Sequence, residues 1–287
     1  MDRILFGDNQ FFGVNHMSED KARSQAMRFR DTQAIVDVLD IAYDQGINTF
    51  MCTTHDRISE ICEHIRTNSG RYPDFKFYPC MPYAHKYADA VTELGMLGAL
   101  KKFAPGSMLG TAFRGGVAAV KKDAIGLMKL LVDAEMKVFE GLNVEVVFLQ
   151  NIVTDLMLGL NMKQLFVAFS QHIRERYGAE AGFITMNLPL LIEFLEECGI
   201  EDPIICSSIN KIGFRMNPSQ EACEAVLREK SFRPIAMSVL ASGAVPPDEA
   251  LEYVCGFENV RSILFGASTA SHIKHTKRLI ETYLHGS

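Results

Sequence analysis

Gly182-Phe183-Ile184-Thr185-Met186-Asn187 runs into Leu188-Pro189, and a helical stripe of Leu191, Ile192 and Leu195 follows and closes at Gly199. The opening residues are short, apolar and rich in β-formers. Pro189 sits near a first helical turn, where a missing N–H costs little, and Gly199 sits where a helix C-terminus needs a residue tolerant of positive φ. The stretch reads as one strand followed by one helix.

The same unit recurs along the chain. Strands are expected at Ile4–Gly7, Ile47–Cys52, Phe75–Met81, Val144–Gln150, Gly182–Met186, Ile204–Ser208, Pro234–Val239 and Ser262–Phe265. Between the first two, Ile35, Val38, Leu39 and Ala42 form an apolar stripe that ends at Gly46, while Pro218-Ser219 and Pro246-Pro247-Asp248 open two later helices. Strand–helix alternation of this kind implies a parallel sheet wrapped by helices. No linker or change of composition divides the chain, so residues 1–287 are expected to form a single domain. The interval between the third and fourth strands is about twice what one crossover needs. It predicts a helical insertion over 84–143, with helices at Tyr87–Phe103 and Val117–Glu140 around Gly106–Gly116. A doubly wound open sheet is the rival architecture, but no Gly-x-Gly-x-x-Gly follows the first strand to mark a dinucleotide crevice. The expected fold class is therefore α/β, a closed (β/α)8 TIM barrel.

Composition narrows the function classes. The 48% hydrophobic and 22% charged residues support one large core. A net charge of −6 gives no basic excess for a nucleic-acid backbone. No apolar run is long enough for a bilayer, and Met1-Asp2-Arg3-Ile4-Leu5 lacks the layout of a signal peptide, so a soluble cytoplasmic protein is expected. The seven cysteines (52, 62, 80, 198, 206, 223 and 255) contain no Cys-x-x-Cys pair and read as reduced thiols. The expected partner is a small molecule; the sequence does not set an oligomeric state.

The end of the chain, Ser262-Ile263-Leu264-Phe265-Gly266-Ala267-Ser268-Thr269, resembles the aldo-keto reductase superfamily, whose last strand enters a Gly-Ala-Ser-Thr type loop. Ser238-Val239-Leu240-Ala241-Ser242-Gly243 is similar to the family's Ser-Pro-Leu-Ala-x-Gly, with Val239 in place of proline. Gly46-Ile47-Asn48-Thr49-Phe50, Ser59-Glu60 and Gly182–Asn187 resemble further family segments in the same order along the chain. The resemblance implies an aldo-keto-reductase-like barrel. It also implies a tetrad of Asp, Tyr, Lys and His, in which a tuned tyrosine donates a proton while a nicotinamide delivers hydride. That tetrad is missing here. Met51 takes the aspartate position, His55 or Asp56 the tyrosine position, Cys80 or Met81 the lysine position, and Gln150, followed by Asn151, the histidine position.

The phosphate end of such a site is retained. Ser238, Ser242, Gly243, Gly266, Ser268, Thr269 and Ser271 are expected to present N–H and O–H groups to an anion, which would make NADP or NAD the implied cofactor. The alternative is that Ser268 or Thr269 simply caps the last helix. The family's basic residue for the extra phosphate is not at Thr269, and His272, Lys274 and Lys277 are the nearby substitutes.

Catalytic groups of a (β/α)8 barrel stand beyond the C-terminal strand ends. There the sequence offers Asp8, His16, His55, Asp56, Gln150, Asn151 and Lys211 as catalytic candidates, beside polar Thr53, Thr54, Tyr83, Asp155, Ser207, Ser208 and Asn210. Asp8, His16, His55 and His85 form a ligand mixture that a divalent metal accepts, although ordinary loop hydrogen bonding accounts for such residues as well. Lys211 is the candidate for a Schiff base, with solvent exposure as the plainer alternative. Arg114-Gly115-Gly116 offers a carboxylate or phosphate clamp, or a solvated turn. The expected function is an enzyme on a small, phosphate-bearing or carbonyl metabolite that does not use the tyrosine-acid route. Alternatives are an NAD(P)H-dependent oxidoreductase with His55 or Asp56 as proton donor, a metal-assisted lyase, isomerase or hydrolase, and a non-catalytic ligand-binding barrel.

Overall fold

The computed structural model describes residues 1–14, 17–83 and 117–285, with backbone alone at 117–123 and 284–285. Its strands are β1 (Ile4–Gly7), β2 (Thr49–Thr53), β3 (Lys76–Met81), β4 (Asn143–Val144), β5 (Val146–Leu149), β6 (Glu180–Thr185), β7 (Ile204–Ser208), β8 (Arg233–Met237) and β9 (Ser262–Phe265). All pairings are parallel. β1 pairs with β2 and β9, β2 pairs with β3, and β4 and β5 are two halves of one broken strand against β3, so the sheet closes into an eight-position (β/α)8 barrel. Among the described residues the helices are α1 (Glu19–Arg28), α2 (Thr32–Asp44), α3 (Ile58–Thr67), α4 (Val117–Met136), α5 (Asn151–Gly159), α6 (Lys163–Tyr177), α7 (Leu188–Glu197), α8 (Gln220–Glu229), α9 (Pro247–Cys255) and α10 (Ala270–His285). None of the described helices is long and apolar enough to cross a membrane.

Period-two alternation sorts the strand residues into two cores. Leu5, Met51, Tyr78, Val146, Phe148, Ile184, Ile204, Cys206 and Ile235 fill the barrel. Their neighbours Phe6, Phe50, Phe77, Val147, Phe183, Ile205, Ala236 and Ile263 pack outward under the helices. Gly182 makes the filling fit, because a Cβ there would stand 2.3–2.8 Å from three atoms of the Phe148 ring. Two residues toward the strand N-termini the same inward rows turn polar. Lys76 bridges Asp2 (3.3 Å) and Glu145 (3.2 Å), and Arg233 grips Glu180 through two hydrogen bonds of 3.0 and 2.6 Å.

The structure moves several expected boundaries. β2 starts at Thr49 because Ile47 still belongs to the α2 terminus, where its N–H reaches Ala42 O at 3.0 Å after Gly46 at φ +76. β6 starts early because the inward Glu180 has Arg233 to satisfy it, and it ends at Thr185 because Asp155 captures the Met186 N–H. The fourth strand breaks at Glu145. β8 stops at Met237, since Ser238 takes φ +55. α7 behaves as its sequence implies: Asn187 accepts from Leu190 N–H (3.3 Å), and the helix ends at Gly199 with φ +68.

Of the expected insertion, α4 is described and runs into a 3-10 turn at Lys137–Phe139; residues 84–116 lie outside the described residues, and with them the expected helix Tyr87–Phe103. One helix has no apolar periodicity to betray it. α1 buries no residue and is stabilised at its ends: Ser18 accepts from Lys21 N–H, Glu19 and Asp20 occupy the first turn, and Arg28 the last.

Candidate functional site

The C-terminal strand ends gather polar groups, beginning with β1. Asp8 follows that strand, and its buried carboxylate accepts both the N–H and the O–H of Thr53 at the end of β2, each at 2.7 Å. Burial pushes the Asp8 carboxyl above its usual range, against the pull of those hydrogen bonds. Cys52 and Cys80 are pushed up further, by burial first and then by the Asp8 charge, so both are neutral thiols. Gln10 donates to Gly7 O (2.8 Å) and lies against Gly266 so closely that a Cβ on that glycine would stand 2.0 Å from its amide oxygen.

Beside this pair stands His55. Its ring stacks on Phe12 (centroids 4.0 Å apart, planes 12° apart), and its Nδ1 accepts from Arg57 N–H at 3.3 Å. Arg57 lies over Phe12 at 5.3 Å and donates to the carbonyls of Phe11 and Phe29. Tyr83 also approaches His55, with ring centroids 6.1 Å apart. Both loops are tied to α4: the buried Glu135 accepts the Thr54 hydroxyl and the Tyr83 N–H, the latter at 3.1 and 3.2 Å from its two oxygens. Gln150, buried, donates its N–H to Met81 O at 3.0 Å and precedes Asn151, the first residue of α5. Asp56 is exposed.

Across the mouth, Asp155 accepts from Thr185 Oγ1 (2.5 Å) and Met186 N–H (3.1 Å), and burial raises its carboxyl too. Ser208 and Ser238 share a 3.3 Å hydrogen bond. Lys211 corrects an expectation. Its ammonium is exposed and pairs with Glu249 of α9 at 2.8 Å, and that partner raises its affinity for a proton; a Schiff-base amine needs the opposite.

The loops after β8 and β9 leave adjacent, paired strands. After β8 the backbone turns left-handed repeatedly, at Ser238 (φ +55), Ala241 (+44), Ser242 (+58) and Gly243 (+90). Three non-glycine residues there carry strain, which persists only where its surroundings enforce it. Over this loop lies a residue the sequence reading missed. A Cβ on Gly243 would stand 3.7 Å from Lys21 Nζ, and no carboxylate among the described residues pairs with that ammonium. After β9, Thr269 caps α10: its Oγ1 accepts from His272 N–H (3.3 Å) and contacts Ser271 Oγ at 3.2 Å. The capping alternative is therefore present. Ser268 precedes it, half-buried.

His16, His85 and Arg114 lie outside the described residues. Among the described residues no three His, Cys, Asp or Glu side chains are arranged to hold a metal ion. Asp8 bonds Thr53 and His55 Nδ1 faces Arg57, so neither residue is committed to a metal by its neighbours. A cleft of about 560 Å³ opens near Asp202, Phe232, Arg233 and Arg261, at the N-terminal strand ends. Its Arg228, Lys230 and Arg233 already pair with Glu224, Glu196 and Glu180, and barrel chemistry belongs to the other face.

No family model and no curated protein sequence matches the chain. Solved structures do. A Pseudomonas aeruginosa protein classed with the aldo-keto reductases is 16% identical, with a TM-score of 0.61, over 99% of this chain and 91% of its own. Aldose reductase of Giardia lamblia is 10% identical, with a TM-score of 0.55, over 99% and 90%. A substituted form of Gox0644, crystallised with NADPH, is 8% identical, with a TM-score of 0.51, over 87% and 79%. At these identities the comparison concerns architecture: the chain has the aldo-keto reductase (β/α)8 fold.

Proposed function

We propose that this chain is an enzyme that works on a small carbonyl or phosphate-bearing metabolite at the C-terminal mouth of the barrel, by acid–base chemistry other than tyrosine-acid reduction. The observation that carries the reading is Asp8, a buried carboxyl with a raised proton affinity at a barrel-strand end, fixed in direction by both polar groups of Thr53. Perturbed carboxyls at such positions are the groups that shuttle protons near neutral pH. His55, oriented by Phe12 and Arg57, is the second proton carrier. The ligand's anion belongs at Ser242 and Gly243 under Lys21, with the N-terminus of α10 beside it.

The nicotinamide alternative is favoured by that same left-handed loop and ammonium, which suit a pyrophosphate, and by the NADPH in the Gox0644 complex. Lys21, Ser242 and Gly243 would then hold the nucleotide, which would supply hydride, while His55 or Asp56 would supply the proton.

Calorimetric titration of the whole chain with inorganic phosphate and with NADPH tests the site. Saturable binding of at least one, weakened in Lys21→Ala, is expected. Binding of neither, or binding indifferent to Lys21, would remove the anion site from the proposal.

A further inference from the structure

The loop leaving β7 carries a guanidinium that no acceptor among the described residues satisfies. Arg215 sits between Phe214 and Met216 with φ +58, a conformation that side chains other than glycine rarely adopt. Its surroundings impose that conformation. The wholly buried Asn210 grips Phe214 from both sides, accepting its N–H at Oδ1 and donating from Nδ2 to its carbonyl, each at 2.8 Å. Met216 N–H reaches Gly213 O at 3.2 Å, and Asn217 N–H reaches Met186 O at 3.0 Å, which ties the loop to the end of β6.

The Arg215 guanidinium lies 5.6 Å from the Phe214 ring centroid and is partly buried. It has no hydrogen-bond acceptor and no carboxylate within reach among the described residues. The other partly buried arginines, Arg57, Arg66 and Arg233, each have one. Loss of hydration alone lowers its hold on the proton. A cation that loses part of its hydration and gains no partner is destabilised, and a strained backbone persists where its surroundings enforce it, often where a ligand is met.

We infer that Arg215 receives an oxyanion, carboxylate or phosphate, of the small molecule held at the barrel mouth, at a subsite separate from the loops after β8 and β9. The inference rests on the mouth being the site proposed above. The planar fork of arginine matches two oxygens of either group, and the loop lies on the same end of the barrel, one strand from Ser238.

The test is calorimetric titration of the full chain with inorganic phosphate and, separately, with succinate, in wild type, Arg215→Gly, Arg215→Lys and Lys21→Ala, with a thermal melt of each. Glycine relieves the left-handed backbone, so Arg215→Gly should melt at or above the wild-type temperature. It should also bind at least one of the two anions about 10- to 100-fold more weakly, the size of a lost charged bidentate contact. Arg215→Lys, which keeps the charge without the fork, should fall between and serves if the glycine variant does not fold. The anion that responds tells a carboxylate subsite from a phosphate subsite. Wild-type affinity for both anions in Arg215→Gly, or no binding of either by wild type, overturns the inference. Phosphate binding lost in Lys21→Ala, with both anions bound at wild-type affinity by Arg215→Gly, leaves the proposed function standing and removes this subsite; binding of both anions unaffected by either substitution removes both.

Discussion

Gly182→Ala is the perturbation for which the structure gives the clearest magnitude. The added methyl would lie 2.3, 2.5 and 2.8 Å from three Phe148 ring atoms, where carbon atoms at rest keep about 3.5–4.0 Å. The ring cannot simply step aside: it is fully buried inside a closed barrel, against Tyr78 at 6.0 Å between centroids, with Val146 and Ile184 in the same cluster. Overpacking of this kind costs about 1–3 kcal/mol, and overlap with three atoms at once puts this substitution at the upper end. A chain of this size loses about 2–4 °C per kcal/mol, so differential scanning calorimetry should record a fall of roughly 6–12 °C. Phe148→Leu in the same chain should restore much of it, because it removes the atoms struck. Gln150 follows Phe148 by two residues, so Gly182→Ala should also disturb the mouth. A melting temperature unchanged within a degree would mean that Gly182 does not face Phe148, and the assignment of barrel interior would be wrong.

Three other outcomes follow from the site and its supports. General acids contribute on the order of 10²–10⁴-fold, so NADPH-dependent turnover of generic aldehydes should be negligible; robust turnover abolished by His55→Ala or Asp56→Ala would make the oxidoreductase reading the leading one. Burial raises the folded Asp8 carboxyl above its unfolded value. Its contribution is therefore fully present below the unfolded value and is lost as pH rises through the folded one. Melts of wild type against Asp8→Asn from pH 4 to 8 should show wild type losing ground with rising pH, and a constant difference would contradict the raised value. Glu180 has the opposite sign. Its hydrogen bonds to Arg233 lower it, so its contribution is present above the unfolded value and fades as pH falls through the folded one. Glu180→Gln should flatten acid-induced destabilisation, and an unaltered acid limb in urea titrations would argue against it.

The barrel was legible because its signals are local. Apolar strands, proline-opened helices and a glycine stop such as Gly199 each follow from a few adjacent residues, and the ordered family-like segments point to the same closed sheet. The misplaced strand ends are apolar or β-tolerant, but a helix-terminal bond to Ala42 takes Ile47 out of the ladder, Asp155 takes Met186 and a left-handed turn takes Ser238. Asp8 and His55 could be named because strand ends are predictable. Their partners could not. Glu135 reaches Thr54 and Tyr83 across 81 and 52 residues, and Lys21 arrives on a helix with no apolar stripe at all. Lys211 looked catalytic because position along a loop says nothing about direction, and Glu249 lies 38 residues away.

The seam that closes the sheet joins β1 to β9, where Ile4, Leu5 and Phe6 pair with Ile263, Leu264 and Phe265, and Ser262 donates to Asp2 O across 260 residues. During synthesis, then, the first strand of the barrel must wait for its last. Until residues near 262 leave the ribosome, one side of β1 is an unpaired, apolar edge, the kind that recruits other strands. Pairings of such long range are slow to form, and the waiting chain is exposed to aggregation. A truncation just short of Ser262 should for this reason give an insoluble product rather than a slightly smaller barrel.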